Sequence, residues 1–513
     1  MGIGIDRAAA PADALGTLDR ILPWFVVVLT LWRGYFLTQS PVGLIGDESY
    51  YWDWSRHPAW CYYSKPPMVA WIIGLSTSLL GDTESAVRAP VIVLGAGFLW
   101  FFHATAQAIY GRRAAFLAVL LICATPHSVL ANLLMTIDPP LFCFWMMALY
   151  FLQRALFEQA DWAWLWAGCA TALGLLSKQV AVLLPIMLLV FLLLDPGRRR
   201  WLRREYWLYL LPVAASMAPI LWWNGEHDWI MWSHSKNHFT AQASLPALLE
   251  FKYVKNLLFH QLLLISPLIF GLVLFLSWRN LRRFGQLNPQ AQFLMLTGPV
   301  LLIGVLLLSF LQKVQGNWPM PFYFSSLILL AGAWDQGLWR KWLRSTLLLG
   351  YAMVFITYSL PSVINALHWQ DTANDPIRRF RYWRQVVADV QRAREHIVPD
   401  ARSALLIVVD HRDMVSELAF YLPDQPQVYH YSDEGIASQY EIWPGPETHV
   451  HANAILINNS MVPLPEAVVK AFTKVWFVNE IANPRKSQYP YHLYYAEDLR
   501  QWPELKRSVK LEE

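Results

Sequence analysis

Apolar runs long enough to cross a lipid bilayer recur along the chain from Leu22 to about Val363. A helix needs about 20 mainly apolar residues to span the hydrocarbon core of a bilayer. Only 15% of the 513 residues are charged, and the mean hydropathy is +0.30. These features predict a membrane protein with many spans and exclude a soluble enzyme.

The runs predict about eleven membrane-spanning helices, at residues 22–38, 89–110, 114–132, 139–157, 162–177, 179–195, 207–223, 261–277, 293–311, 320–334 and 345–363. Clusters of Lys and Arg fall on alternate loops, which by the positive-inside rule places those loops and the N-terminus inside. Because the net charge of +4 is spread over many loops, nucleic acid is not expected as a partner. The loop that contains residues 46–54 then lies outside. So does the apolar stretch 66–80, which is too short to span and predicts a helix that lies in the interface or is re-entrant.

From about Ile364 onward the composition is that of a soluble domain. Short β-branched runs predict strands at 404–409, 427–431, 454–458 and 474–479, and amphipathic patterns predict helices at 376–396, 413–422 and 464–472. The predicted fold class is an all-α polytopic membrane bundle, residues 1–363, followed by a small α/β domain, residues 364–513. An odd number of spans places this domain outside with the first loop.

The first loop contains the sequence GDESYYWDW at residues 46–54, in which Asp47 and Glu48 precede a group of aromatic residues. An aromatic belt with solvated acids is one explanation. A second acid on the same side, Asp138, lies between two apolar helices, and an ionisable group at that depth usually faces a cavity. The alternative for Asp138 is an N-cap in front of Pro139.

Three cations map to the same side of the membrane: Lys65, Arg88 and Lys178. Lys178 occupies a tight hairpin between apolar helices, and a lysine that snorkels from a helix end is the competing interpretation. Carboxylates and cations on one membrane face fit group transfer from a lipid phosphate, because Lys and Arg hold the phosphate while a carboxylate deprotonates the acceptor. A single base without a covalent intermediate gives inversion. The aromatic residues are candidates to stack on a sugar or seat a lipid head: Tyr50, Tyr51, Trp52 and Trp54.

Several short motifs then occur in a fixed order. They are the first-loop Asp-Glu, Lys-Pro-Pro at 65–67, Ala-Val-Arg-Ala-Pro at 86–90, the Asp138 loop and Gly-Leu-Leu-Ser-Lys at 174–178. The segments from Trp223 to Trp229 and from Ser438 to Pro446 also look like those of bacterial members. In this combination the chain resembles the GT-C glycosyltransferases. It is most similar to bacterial relatives of the protein O-mannosyltransferases and of the lipid A aminoarabinose transferase.

The resemblance implies a GT-C enzyme of the bacterial inner membrane that uses a polyprenyl-phosphate sugar donor and carries its C-terminal domain in the periplasm. Asp47 matches the family's base, with Glu48 as its neighbour, and Asp138 matches a second-loop acid. Lys65, Arg88 and Lys178 match residues expected near the donor phosphate. The sugar stays open, as does the acceptor, which is a lipid, a polysaccharide or a protein. Because some relatives use a divalent metal and others none, no metal site is assigned.

Two other functions remain open at this point. A transporter or flippase for a charged amphiphilic lipid would bind the same groups without chemistry, and a membrane-anchored binding protein would act through its outer domain. Other polar residues are assigned to local structure. His234 and His238 have the i, i+4 spacing of a helical metal pair but no third ligand at diagnostic spacing, so they, like His227 and Asp228, are assigned to the membrane interface. Residues 410–413 favour a turn and a helix cap. Lys313 and Trp318 are either cavity residues or interface anchors.

Overall fold

The structure is a computed structural model that describes residues 12–38, 42–239, 251–334, 338–370, 372, 375, 377, 382–397, 405–409, 411–433, 435–483 and 489–503. By its internal contacts the chain divides into two compact units. The helical unit combines the first helix with the segments 89–218 and 240–358. The sheet unit combines the first loop up to Arg88 with the segments 219–239 and 359–513. The predicted boundary between residues 363 and 364 stays a prediction.

Helices account for most of the described chain before Leu193. They are α1 (Ala12–Thr38), α2 (Gly46–Ser55), α3 (Met68–Leu80), α4 (Glu84–Arg88), α5 (Pro90–Tyr110), α6 (Arg112–Cys123), α7 (Pro126–Leu130), α8 (Asp138–Phe157), α9 (Trp162–Ser177) and α10 (Leu183–Leu193). Proline stands in the first turn of α5, α7 and α8, where the missing N–H costs no hydrogen bond and the fixed φ suits a helix.

The next helices are α11 (Glu205–Glu226), α12 (Ile230–Phe239), α13 (Lys252–Ile265), α14 (Pro267–Arg282), α15 (Pro289–Met295), α16 (Leu301–Leu308), α17 (Met320–Gly332) and α18 (Leu338–Ala366). A π-helical turn, Leu296–Val300, joins α15 to α16 and contains Pro299. The core of the helical unit is built from close-packed large apolar side chains, among them Phe102, Trp145 and Phe322, each less than 2% exposed.

Among the described residues, five helices are long and apolar enough to cross a membrane, or six if one bent pair counts as a single span. They are Glu84–Tyr110, Asp138–Phe157, Glu205–Glu226, Pro289–Leu308 and Lys341–Ala366. The chain is therefore a multi-pass membrane protein, whereas the count of about eleven spans stays a prediction. The span predicted at 261–277 is interrupted in the structure: Ser266 has a φ of 86°, and α13 and α14 are bent against each other by 113° at this residue. Pro267 explains the break, because proline disfavours helical geometry in the residue before it.

The sheet unit contains a five-stranded mixed sheet. Its strands are β1 (Leu405–Val408), β2 (Val428–His430), β3 (Ala454–Asn459), β4 (Phe472–Ile481) and β5 (Tyr491–Leu499), in the order β2-β1-β3-β5-β4. β1 is parallel to β2 and β3, whereas β5 is antiparallel to β3 and β4. The helices of this region are α19 (Trp383–Ile397), α20 (Arg412–Tyr421) and α21 (Glu466–Lys470). The predicted small α/β fold is confirmed, although β5 was not predicted.

Within the sheet unit, α2 packs directly on α20. Ser49 Oγ lies 2.9 Å from Ser416 Oγ and donates to Glu417 Oε1 at 3.1 Å. The ring of Trp52 meets that of Phe420 edge-on, with 4.9 Å between the centroids. A Cβ added at Gly46 would lie 2.5 Å from Asp413 Cγ, so a larger residue there would require the Asp413 side chain to move. This contact fixes the first-loop acids against the start of α20.

Candidate active site

Asp47 lies in the first turn of α2, where a negative charge is favoured by the helix dipole. Its side chain is 45% exposed. Oδ1 accepts a hydrogen bond from Arg412 Nη2 at 3.1 Å, and within the described residues Oδ2 has no hydrogen-bond partner. Asp47 therefore presents one fixed carboxylate oxygen and one oxygen able to accept a proton.

Arg412 reaches Asp47 from the first residue of α20. Its guanidinium also lies over the ring of Tyr50, 4.7 Å from the centroid, and its Nε is 3.8 Å from Asp413 Oδ1. The sequence predicts a turn and a helix cap at residues 410–413. That prediction holds for His411, whose Nδ1 accepts from Asp413 N at 3.2 Å and caps α20. The contact of Arg412 with Asp47 was not predicted. Asp410 lies outside the described residues.

Glu48 is the neighbour of Asp47 but is completely buried. Arg88 donates to it through two nitrogens, Nε to Oε1 at 2.8 Å and Nη2 to Oε2 at 2.5 Å. Arg88 also donates to the carbonyls of Val42 and Gly43, at 3.0 and 2.7 Å. Because these contacts occupy the fork of Arg88, the geometry favours an internal brace for the first loop over direct contact with a substrate. The predicted roles of Glu48 and Arg88 in catalysis and phosphate binding stay predictions.

The four aromatic residues of the first loop are buried: Tyr50, Tyr51, Trp52 and Trp54. Trp54 stacks on Tyr62 with 4.4 Å between ring centroids, and Trp52 Nε1 donates to Asp82 Oδ1 at 2.7 Å. Tyr50 Oη accepts from the backbone N–H of Gln439 at 2.6 Å. These contacts place the four rings in the core of the loop, and their role in stacking on a sugar or a lipid head stays a prediction.

A third acid of α2, Asp53, was not singled out from the sequence. It is buried and accepts from Tyr440 Oη at 2.8 Å and from Arg56 Nη1 at 3.3 Å. Burial raises the pKa of Asp53 to about 6, although Arg56 and the Tyr440 hydroxyl oppose that shift. The three acids of α2 thus occupy three different environments.

In the helical unit, Asp138 is the first residue of α8 and is almost fully buried. Its Oδ1 accepts from Lys178 Nζ at 2.8 Å, and its Oδ2 accepts from Asn317 Nδ2 at 2.7 Å. Asp138 does not act as the N-cap of α8, because its carboxylate is bound to these two side chains. Lys178 directly follows α9, and its ammonium group pairs with Asp138 rather than extending from the helix end as a snorkelling lysine would. Asn317 was not predicted as a site residue, although Lys313 and Trp318 of the same turn were candidates.

A small cavity of about 30 Å³ lies in the same unit and is lined mainly by apolar side chains, with Arg33, His127 and Asn132 as polar members of its wall. Arg33 Nη1 donates to Asn132 Oδ1 at 2.9 Å. Both ring nitrogens of His127 are buried and lack a hydrogen-bond partner in the described part of the chain.

The remaining predicted groups are spread over the sheet unit. Lys65 lies in the turn before α3, where its carbonyl accepts from Tyr62 N at 3.1 Å, and its role at the donor phosphate stays a prediction. The ring of His227 stacks on Trp223 and that of His234 packs on Tyr63, at 4.0 and 4.7 Å. The His238 side chain lies outside the described residues. Among the residues that are described, no group of three or more His, Cys, Asp or Glu side chains is arranged to hold a metal ion.

Comparison with known proteins agrees with this fold. Residues 64–223 match the family described as dolichyl-phosphate-mannose-protein mannosyltransferase. The lipid A galacturonosyltransferase RgtD of Rhizobium johnstonii is 27% identical over 425 residues, which cover 81% of this chain and 85% of that protein.

Two crystal structures of ArnT from Cupriavidus metallidurans have the same fold. The apo structure matches with a TM-score of 0.64 and 16% identity, covering 93% of this chain and 98% of ArnT. The structure bound to undecaprenyl phosphate matches with a TM-score of 0.62 and 16% identity, covering 92% and 98% of the two chains. Together with the apolar helices, these similarities identify the chain as a membrane glycosyltransferase related to the GT-C glycosyltransferases.

Proposed function

We propose that this enzyme moves a sugar from a polyprenyl-phosphate donor to a lipid acceptor, with inversion, at the periplasmic face of a bacterial inner membrane. The observation that carries the proposal is the state of Asp47: a half-exposed carboxylate with one oxygen held by Arg412 and the other open. A general base needs this combination of fixed orientation and access to the acceptor. The related ArnT binds undecaprenyl phosphate and the related RgtD acts on lipid A, which supports the classes of donor and acceptor.

The reaction is a single displacement. Asp47 Oδ2 takes the proton from the acceptor hydroxyl as the hydroxyl oxygen bonds to the anomeric carbon of the sugar. The bond from that carbon to the phosphate oxygen breaks, and its electron pair stays on the phosphate. Free polyprenyl phosphate leaves, and because the attack comes from the opposite face, the anomeric configuration inverts. Because the acceptor oxygen attacks the anomeric carbon directly, no covalent sugar–enzyme intermediate is required.

Lys178 is assigned to the donor phosphate. Its ammonium group has three N–H donors, of which Asp138 occupies one at 2.8 Å. The remaining donors are available to phosphate oxygens, where they stabilise the negative charge that grows as the glycosidic bond breaks. Asp138 and Asn317 are positioning residues in this proposal, because they fix the ammonium group and do not contact the donor themselves.

The test uses the purified protein in liposomes with a polyprenyl-phosphate-linked galacturonosyl donor and lipid A. We expect release of free polyprenyl phosphate and a lipid A product that is heavier by one sugar, with inverted configuration by NMR. Movement of intact donor across the bilayer without this release would instead establish the flippase alternative. Transfer to polysaccharide or protein, but not to lipid A, would overturn the acceptor class.

A further inference from the structure

Arg412 is the residue of α20 that meets the reactive carboxylate. Its contacts are the 3.1 Å bond to Asp47, the face of the Tyr50 ring and the carboxylate of Asp413. Asp47 and Arg412 are separated by 365 positions along the chain. The C-terminal part of the sheet unit therefore delivers a cation to the first loop.

The position of Arg412 is fixed by the packing of α20 on the first loop. α20 is tied to α2 by the Ser49 contacts to Ser416 and Glu417, and Leu44 N donates to the Tyr421 hydroxyl at 2.8 Å. The guanidinium is planar, and stacking on Tyr50 limits the directions in which its N–H groups can point. Arg412 is thus held in one orientation before any substrate binds.

We propose that Arg412 is a positioning residue for the base: it holds Asp47 Oδ1 and leaves Oδ2 directed to the acceptor. This inference rests on the proposed function and assigns the C-terminal region a part in the reaction. Arg412 takes no proton and forms no bond to the sugar, so the balance of the displacement is unchanged.

Other polar groups lie close to this pair. Glu48 and Tyr50 are on the same helix as Asp47, Asp413 lies beside Arg412 on α20, and Arg88 is paired with Glu48. Among these groups, Arg412 is the cation that donates a hydrogen bond to Asp47.

The experiment compares Arg412→Gln and Arg412→Lys with the control Arg500→Gln, all in the full-length protein in liposomes. Arg500 is an exposed arginine of the same unit that contacts Asp498 and Thr473, so its loss should leave transfer unchanged. For Arg412→Gln we expect kcat to fall about 10- to 100-fold, as for a misplaced reacting group, with unchanged affinity for the polyprenyl-phosphate donor. A loss of kcat without a loss of donor affinity is the result expected for a displaced base, whereas a purely structural defect would lower both.

The lysine variant separates charge from geometry. Arg412→Lys keeps the positive charge but not the planar fork, so it should recover only part of the kcat that Arg412→Gln loses, with unchanged donor affinity. If Arg412→Gln fails to fold, this variant still tests the proposal. A weakened donor affinity with an unchanged kcat in either variant would show that Arg412 acts on the phosphate and would overturn the inference.

A readout that does not depend on turnover distinguishes this inference from the proposed function. Infrared difference spectra between the parent protein and its Asp47→Asn variant identify the carboxylate stretching bands of Asp47. In an Arg412→Gln background these bands should shift, because the hydrogen bond to Oδ1 is lost, even if no sugar transfer is detected with the chosen acceptor. Identical bands with and without Arg412 contradict the inference, whereas absent transfer by the parent protein contradicts only the proposed function.

Discussion

The two ion pairs assigned to the reaction differ in exposure. In the sheet unit, Asp47 and Arg412 are 45% and 32% exposed and share one hydrogen bond. In the helical unit, Asp138 and Lys178 are 8% and 13% exposed, and Asn317 satisfies the second carboxylate oxygen. An exposed pair contributes little to stability and leaves its carboxylate accessible, whereas a buried pair is costly to open. The difference assigns proton transfer to Asp47 and a fixed electrostatic role to the Asp138–Lys178 pair.

The strongest test of this contrast is Asp47→Asn. An amide cannot accept the proton, so we expect turnover to fall about 1,000-fold while donor binding is retained. Release of polyprenyl phosphate and equilibrium binding of the donor measure the two effects separately. Asp47→Glu is the matched control, and it should retain part of the activity because it keeps a base. Near-normal turnover by Asp47→Asn would reject Asp47 as the base.

Glu48→Gln tests whether the neighbour of Asp47 is an internal brace. The substitution leaves the buried Arg88 without a counter-charge, which typically costs about 3–5 kcal/mol of stability. We expect a lower unfolding temperature and poor recovery of folded protein. Glu466→Gln is the control, because it removes an acid from a salt bridge to Lys470 that is largely exposed and should change stability little. A Glu48→Gln protein that keeps its stability but loses transfer would instead assign Glu48 to the chemistry.

The sequence was sufficient to locate most helices and most strands, and it singled out Asp47, Asp138 and Lys178 but not Arg412. Apolar periodicity reports helices and strands locally, and a charge within an apolar environment is conspicuous. β5 was missed because His492, Glu497 and Asp498 interrupt its apolar alternation. The break at Ser266 was missed because the apolar run continues through it.

Which residues pair with the acids could not be predicted. Arg412 is 365 positions from Asp47, and Asn317 is 179 positions from Asp138, so both contacts depend on tertiary folding. A single sequence contains no signal for such distant pairs. The burial of Tyr50 and Trp54 could not be predicted from the sequence either, because the same aromatic residue types pack in cores and bind sugars.

Asp53 provides a pH test within the same helix. Its pKa is raised from 3.8 to about 6 in the folded protein, so the folded state binds the proton more tightly. Protonated Asp53 contributes at most about 3 kcal/mol to the stability of the folded state. This contribution is complete below pH 3.8 and is lost as the pH rises through about 6. Because Asp53→Asn cannot ionise, its unfolding temperature should increase relative to that of the parent protein as the pH is raised from 4.5 to 7.5. A constant difference across this range would contradict the raised pKa.

Lys178→Ala is expected to weaken donor binding about 10-fold, because a hydrogen bond from a charged donor contributes about 1.5 kcal/mol or more. The single variant also leaves the Asp138 carboxylate buried without its cation, which by itself destabilises the protein. The double variant Lys178→Ala with Asp138→Asn removes that unpaired charge and should recover stability without recovering donor affinity. Donor affinity restored to the parent value in the double variant would show that Lys178 only neutralises Asp138. Weak binding in both variants, with stability restored in one, assigns the ammonium group to the phosphate.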